Sequence, residues 1–193
     1  YPSTESDPAA KQTGKPLWSS EDYAATNSGS GGRCEARILN QNWVRGLISA
    51  TINWNLISAY YDYVAWPDDG FSMTARWPWS GHYEVQPPLW AAAHTSQFAD
   101  PGHVLLPNGT GSALLEGGGS VVSYFNSDAA RGIQELAVVV EKVQPGLSSC
   151  GFSQTPQYTV QNETLELHVH GGNATIERLF VWRSNFGAGR FLE

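Results

Sequence analysis

Residues 34–54 read CEARILNQNWVRGLISATINW, and the architecture follows from this stretch. Apolar side chains recur every three to four positions over residues 34–45, which predicts a helix, and Gly46 is a typical helix terminator. The mostly apolar run at residues 47–54 then predicts a buried strand. Because residues 15–20 predict another strand upstream, the sequence contains a strand–helix–strand unit.

The two strands of such a unit run parallel and are joined by a right-handed crossover, so their carboxyl ends open on the same side. Glu21 follows the first strand, and Trp54 and Asn55 end the second. This is the edge at which α/β sheets and barrels place their sites. We therefore predict that Glu21 and Trp54 share one mouth.

The segments around this unit predict loops and one more helix. Residues 24–33 are rich in Gly and Ser and predict a loop before the first helix. Residues 60–86 are rich in Trp and Tyr and predict a long functional loop over the mouth, where His82 either contacts a ligand or braces the loop. A Pro-Pro pair then predicts the start of a helix that covers residues 89–98.

Beyond residue 100 the pattern changes to short strand-like runs separated by Gly, Asn and Pro turns, which predicts an antiparallel β-sandwich. These runs lie at residues 103–106, 120–125, 135–143, 157–160, 164–169 and 176–182. We therefore predict two domains, one over residues 1–100 and a β-sandwich over residues 101–193.

Composition excludes some classes of partner. The 193 residues include 11 Lys and Arg against 18 Asp and Glu, a net charge of −7, and they contain no basic block. Nucleic acid and anionic membrane surfaces are therefore poor partners. No segment is apolar for long enough to span a bilayer. Since the chain starts at Tyr1 rather than Met, we expect it to be an internal piece of a longer protein.

The cysteines and sequons bear on the cellular compartment. Cys34 and Cys150 allow either one disulfide or two free buried thiols. Sequons for N-glycosylation begin at Asn108, Asn162 and Asn173, each in polar, turn-like sequence. Three sequons and a candidate disulfide favour a protein of the secretory route, lysosomal or secreted.

Two groups of side chains suggest chemistry. Paired acids hydrolyse glycosides, but Glu21 and Asp22 are neighbours on a strand and point to opposite faces, so they cannot be the two partners. Glu21 is therefore either one half of a catalytic pair or a solvated strand end.

His168 and His170 form an H-x-H pair, yet no third ligand follows at zinc-binding spacing, so we predict no metal site and no cofactor.

Five motifs resemble glycoside hydrolase family 59. They are KPLWSSEDY at residues 15–23, CEARILNQN at 34–42, TINWNLISAYY at 51–61, PWSGHY at 78–83 and AHTSQF at 93–98. The resemblance covers most of residues 14–103, in order and nearly in spacing. Beyond about residue 110 it rests on the strand pattern and the position of Cys150.

The resemblance implies a fold and an activity. The fold is the C-terminal part of a TIM (β/α)8 barrel, carrying the seventh and eighth strands, followed by the β-sandwich. The activity is that of a lysosomal retaining β-galactosidase that hydrolyses galactosylceramide-type glycolipids. The implied partners are the galactolipid substrate and a lipid-presenting activator protein.

The resemblance also implies roles for individual residues. The nucleophile of the family falls on Glu21, and a Trp that lines the galactose pocket falls on Trp54. In the loop that follows, Trp66, or otherwise Tyr63, takes the place of a sugar-contacting tyrosine. The disulfide of the family joins the positions of Cys34 and Cys150.

Two departures from the family pattern affect the expected function. Phe152 stands where the family has a substrate-contacting Arg, so this sugar contact is either missing or supplied by another residue, and a different substrate is allowed. The acid/base Glu belongs to an Asn-Glu pair on the fourth barrel strand, which these residues do not include. The 193 residues alone are therefore expected to be inactive. Two alternatives are a non-catalytic carbohydrate-binding protein and a related barrel glycosidase with a different sugar specificity.

Overall fold

The computed structural model describes most of the chain. The described residues are 4–24, 26–54, 56–60, 72–128, 130, 132–144, 150, 158–170, 175–186 and 190–192. Their helices are α1 (Pro8–Gln12), α2 (Gly29–Gly46) and α3 (Pro87–Ser96), with a 3-10 turn at Pro78–Ser80. Their strands are β1 (Leu17–Asp22), β2 (Ile48–Asn53), β3 (Ile57–Tyr60), β4 (Met73–Arg76), β5 (Glu84–Val85), β6 (Val104–Leu105), β7 (Ala113–Leu114), β8 (Ser120–Asp128), β9 (Ile133–Glu141), β10 (Arg183–Asn185) and β11 (Arg190–Leu192).

The strand–helix–strand unit is present as β1, α2 and β2. The strands pair in parallel, from Leu17 opposite Ile48 to Asp22 opposite Asn53. The predicted parallel pairing is therefore confirmed, and the carboxyl ends of both strands lie side by side.

Helix α2 begins earlier than we predicted. It starts at Gly29, so much of the expected Gly/Ser loop is helical. Two glycines in its first turn have packing roles: a Cβ on Gly31 would collide with the Thr26 carbonyl oxygen, and a Cβ on Gly32 would lie 2.9 Å from Pro87. Glycine here reflects the close approach of neighbouring groups rather than a flexible loop.

The other end of α2 also differs from the expectation. Gly46 is the last helical residue, and Leu47, not the glycine, adopts the left-handed conformation with φ 53°. The reason for glycine at position 46 is space, because a Cβ there would lie 2.9 Å from both the Ile48 side chain and the Thr4 carbonyl oxygen.

Helix α2 is the central element and is buried on more than one side. It packs against β2 and α3 and against β8 and β9 of the second half. Several of its fully buried side chains are polar, and these are Glu35, Arg37, Asn40, Gln41 and Asn42. The apolar pattern alone therefore did not identify its buried face.

The polar side chains of α2 hydrogen-bond to the second half of the chain. Asn40 donates to the carbonyl of Val139 at 3.0 Å, and Gln41 donates to the Tyr158 hydroxyl at 2.8 Å. Glu141 accepts from the Ser120 hydroxyl at 2.9 Å. Burial raises the pKa of Glu141, against the opposing effect of its hydrogen bonds.

The aromatic stretch is not wholly a loop. Its described residues form a small sheet in which β3 pairs with β4 in parallel and β4 pairs with β5 antiparallel. Residues 61–71 lie outside the described part. The predicted helix after the Pro-Pro pair is confirmed as α3, which begins at the first proline of the pair.

The second half contains a four-stranded antiparallel sheet. Strand β9 pairs along the whole of β8, while β7 pairs with the first residues of β8 and β6 with its central residues. The strands predicted at residues 164–169 and 176–182 are wrong, because these described residues are exposed and have no strand conformation. Their sequence alternates as a strand does, but within the described part of the chain these two segments are not paired with another strand.

Candidate active site

The carboxyl end of β1 separates two neighbouring acids. Glu21 is exposed, whereas Asp22 is 1% exposed. The two neighbouring side chains face opposite sides, as neighbours on a strand normally do, although the β1–β2 register shifts between Ser19 and Asp22. The two side chains therefore lie on opposite sides, as the sequence predicted.

Trp54 stands beside this strand end. Its backbone nitrogen donates to the carbonyl of Asp22 at 2.8 Å, which extends the pairing of β1 and β2 by one step. Its ring meets the ring of Tyr23 edge-on, with centroids 6.3 Å apart, and 55% of Trp54 remains exposed. An exposed carboxylate and an exposed aromatic ring thus lie at adjacent strand ends, an arrangement suited to holding a sugar.

Polar side chains of α2 lie beneath the two strand ends. Asn42 donates from Nδ2 to Asp22 Oδ2 at 2.8 Å and to Thr51 Oγ1 at 2.9 Å. Asn53 donates from Nδ2 to Oε1 of Glu35. The floor of the candidate site is therefore a buried hydrogen-bonded network between α2, β1 and β2.

Glu35 is the residue of this floor that sequence reasoning missed. Burial, with a smaller contribution from the negative charge of Asp22, raises its pKa from 4.5 to about 7, and the hydrogen bond from Asn53 opposes the rise. One signal was available: Glu35 lies three residues before the buried Ile38, on the same side of the helix.

No described contact links the other candidate sugar-binding residues to Glu21 or Trp54. His82 is exposed, its backbone nitrogen donates to Ser80 Oγ at 3.1 Å, and its Nε2 lies 3.8 Å from Glu84 Oε1. These contacts fit a brace within its own loop. Trp66, Tyr63 and Phe152 lie outside the described residues.

Cys34 and Cys150 form a disulfide, as the resemblance implied. Both are buried with Ala24 and Ile38 in one apolar cluster. The bridge ties the start of α2 to a residue 116 positions away.

The sequons differ in their surroundings. Asn162 is exposed, whereas Asn108 donates from Nδ2 to the carbonyl of Val44, in the last turn of α2, at 2.7 Å. Asn173 lies outside the described residues.

The two histidines of the H-x-H pair lie at the surface. His168 and His170 are exposed, and their rings stack with centroids 6.4 Å apart. In the described ranges, no three or more His, Cys, Asp or Glu side chains cluster in a way that would hold a metal ion. Nor does any helix in those ranges combine the length and apolarity needed to cross a bilayer.

Comparison with known proteins identifies the family. Residues 1–97 match glycosyl hydrolase family 59, and residues 108–191 match the central domain of glycosyl hydrolase family 59. The chain belongs to glycosyl hydrolase family 59. Glu21 and Trp54 both lie within the first match of this family 59 chain.

The relatives of the family 59 chain are longer proteins. It is 39% identical to galactocerebrosidase of Homo sapiens over 100% of the chain and 27% of that protein. It is 41% identical to galactocerebrosidase of Salmo salar over 96% of the chain, again 27% of that protein. It is 38% identical to galactocerebrosidase of Danio rerio over 95% of the chain and 26% of that protein. The chain therefore spans about a quarter of the length of these relatives.

Proposed function

We propose that this chain carries the nucleophile half of the active site of a retaining β-galactosidase that hydrolyses galactosylceramide-type glycolipids. One observation carries the proposal: the exposed Glu21 stands next to Trp54 at the ends of two parallel strands. The 39% identity to human galactocerebrosidase along the whole chain supports the choice of substrate class.

The reaction proceeds in two displacements. The Glu21 carboxylate attacks the anomeric carbon of galactose, and the bond to the leaving oxygen breaks as an acid/base Glu outside this chain protonates that oxygen. The same Glu then removes a proton from water, which attacks the anomeric carbon and releases Glu21. A retaining mechanism places the two carboxyl groups about 5 to 5.5 Å apart in the complete enzyme.

The aromatic side chains supply the sugar pocket. Trp54 packs its ring against the C–H face of galactose, and Trp66 or Tyr63 covers the sugar from the following loop. His82, directly before Tyr83 and β5, is a further candidate for a hydrogen bond to the sugar. Because Phe152 has none of the N–H donors of an Arg side chain, the sugar hydroxyl that an Arg would contact is held by another donor.

The proposal includes an architecture and a compartment. Strands β1 and β2 are adjacent strands of a TIM barrel, and β6–β9 form part of a β-sandwich. The complete enzyme acts in the lysosome with a lipid-presenting activator protein, and the 193 residues alone are inactive because they lack the acid/base Glu. The disulfide and the sequons support a secretory route.

The test is Glu21→Gln in the full-length enzyme. Gln keeps the size of the side chain but cannot form the glycosyl ester, so we expect kcat on galactosylceramide to fall by more than about a thousandfold with folding preserved. Glu116→Gln, at another exposed carboxylate, serves as the control and should retain activity.

A fluorosugar that traps the glycosyl-enzyme provides the second measurement. We expect the label on the peptide that contains Glu21. A Glu21→Gln enzyme with a near-normal rate would refute the assignment. Sugar binding without any covalent label would instead favour a non-catalytic carbohydrate-binding protein, and a higher rate on another aryl glycoside would favour a different sugar specificity.

A further inference from the structure

We propose that Glu35 is a positioning residue for the candidate nucleophile: its buried carboxyl group, bonded to Asn53 and close to Asp22, sets the relative position of the ends of β1 and β2. The inference rests on the proposed function, because those strand ends carry Glu21 and Trp54.

The contacts connect Glu35 to both strand ends. Asn53, the residue directly before Trp54, donates to Oε1 of Glu35. Asn53 is also opposite Asp22 in the β1–β2 register, and Asp22 directly follows Glu21. A displacement of the Glu35 carboxyl group would therefore move Asn53 and the paired Asp22, and with them the neighbouring Trp54 and Glu21.

A second hydrogen bond from α2 makes the attachment rigid. Asn42 lies seven residues after Glu35, on the same side of the helix, and donates to Asp22 Oδ2 at 2.8 Å. Glu35 thus holds the end of β2 while Asn42 holds the end of β1. Since Glu35 is 2% exposed and Asn42 is 1% exposed, water does not replace either hydrogen bond easily.

The protonation state of Glu35 controls the charge of this junction. Asp22 on β1 is the charged group whose field acts on Glu35, and β2 contributes the uncharged Asn53. Because burial raises the pKa of Glu35 to about 7, the carboxyl is neutral at acidic pH and adds no negative charge beside Asp22. Above that pH a second buried negative charge repels Asp22 and loosens the strand ends.

The sign of the pH dependence follows from this shift. The folded pKa of Glu35 lies above its ordinary value of 4.5, so the folded state binds the proton more tightly than the unfolded state. The resulting stability is fully present below pH 4.5 and is lost as the pH rises to about 7. Activity that depends on neutral Glu35 should fall near the upper end of that range.

The experiment compares Glu35→Gln and Glu35→Ala in the full-length enzyme. Gln keeps the acceptor for Asn53 but does not ionise, so kcat at pH 4.5 should stay near that of the wild type. Between pH 4.5 and pH 7.5, kcat of Glu35→Gln should fall less than kcat of the wild type, by a factor of about four. The reason is that a group with a pKa of about 7 keeps its proton in only about a quarter of the molecules at pH 7.5. Ala leaves Asn53 unpaired and should lower kcat by about tenfold or more, with a smaller change in KM.

Glu141→Gln is the matched control. Glu141 is also buried with a raised pKa, but its contacts are with Ser120, Gln41 and Tyr158 on β8, α2 and the segment after β9. Both Gln variants should weaken the fall of melting temperature with rising pH. Only Glu35→Gln should change the pH profile of kcat.

Two results would overturn the proposal. One is a pH profile of kcat for Glu35→Gln that superimposes on the wild type, and the other is an equal change in the Glu141→Gln profile. Either result leaves the proposed function standing if Glu21→Gln is inactive. If Glu21→Gln is active, the proposed function fails whatever Glu35 does.

Discussion

At the scale of single residues, the environment gives neighbouring acids different properties. Glu21 faces solvent and is accessible to a substrate, whereas Asp22 is buried and accepts a hydrogen bond from Asn42. Glu35, close to Asp22, keeps its proton to a higher pH than an exposed Glu. Carboxyl groups on neighbouring elements thus differ in exposure and in proton affinity according to their surroundings.

Asn108 offers a test of a sequon whose side chain also has a structural role. Its Nδ2 donates to the carbonyl of Val44. This carbonyl is among the last four of α2, for which the helix itself provides no donor. We expect Asn108→Ala to lower the free energy of unfolding by about 1 kcal/mol, because the variant cannot form this hydrogen bond. Chemical denaturation of the purified variant measures the change.

The control for this prediction is Thr110→Ala. It removes the same sequon but leaves the Asn108 side chain in place. If the hydrogen bond is responsible, Thr110→Ala keeps the stability of the wild type. Equal destabilisation of both variants would show that a glycan, rather than the bond to Val44, accounts for the effect.

At the scale of elements, α2 determines the layout of the site. It carries Glu35 and Asn42 toward β1 and β2, and Asn40 and Gln41 toward the second half of the chain. Its packing on several sides explains why its buried residues include polar ones. Each of these four side chains makes a hydrogen bond to a residue outside α2, which offsets part of the cost of burying it.

The C-terminal end of α2 permits an engineered gain in stability. Leu47 adopts a left-handed conformation that costs a residue with a Cβ about 1 kcal/mol. We expect Leu47→Gly to raise the free energy of unfolding by up to that amount, reduced by the apolar burial that the partly exposed Leu47 side chain now provides. Thermal or chemical denaturation measures the gain.

Gly46→Ala provides the contrasting variant. Its Cβ would lie 2.9 Å from the Thr4 carbonyl oxygen, so we expect a loss of stability. A stable Gly46→Ala together with a destabilised Leu47→Gly would contradict this description of the helix end.

At the scale of the whole molecule, the disulfide joins distant parts of the chain. Cys34 on α2 is bonded to Cys150, beyond β9, across 116 residues. Replacing both by Ala should lower the free energy of unfolding by about 4 to 5 kcal/mol in the chain-entropy model. The midpoint of guanidinium denaturation measures the loss, provided that the dependence of the unfolding free energy on guanidinium concentration is the same in both proteins.

Reduction of the wild type supplies the control for the disulfide. Reduced wild type should unfold at nearly the same midpoint as the double variant. A change of less than about 1 kcal/mol in both samples would mean that packing between α2 and the second half, rather than the bridge, holds these parts together.

Local pattern was sufficient for the strand–helix–strand unit. The periodicity around residues 34–54 predicted α2, β2 and the parallel pairing that brings the ends of β1 and β2 together. The expectation that neighbouring strand residues face opposite sides also holds for Glu21 and Asp22. These features depend on backbone geometry that repeats every 3.6 residues in a helix and every two residues in a strand. A short stretch of sequence is enough to recognise either period.

The buried polar floor and the ends of α2 were decided by tertiary packing. Asn40 and Gln41 find partners about 100 residues away, on or after β9. The pKa of Glu35 rises mainly because the assembled fold buries its carboxyl group, with a smaller contribution from the charge of Asp22. The pKa of a carboxyl group depends on its desolvation and on the charges around it, and both are properties of the assembled fold. A period in the sequence can place Glu35 on the same side of α2 as Ile38, but it does not show which groups surround the carboxyl, and these are set by the packing of α2 against the strands.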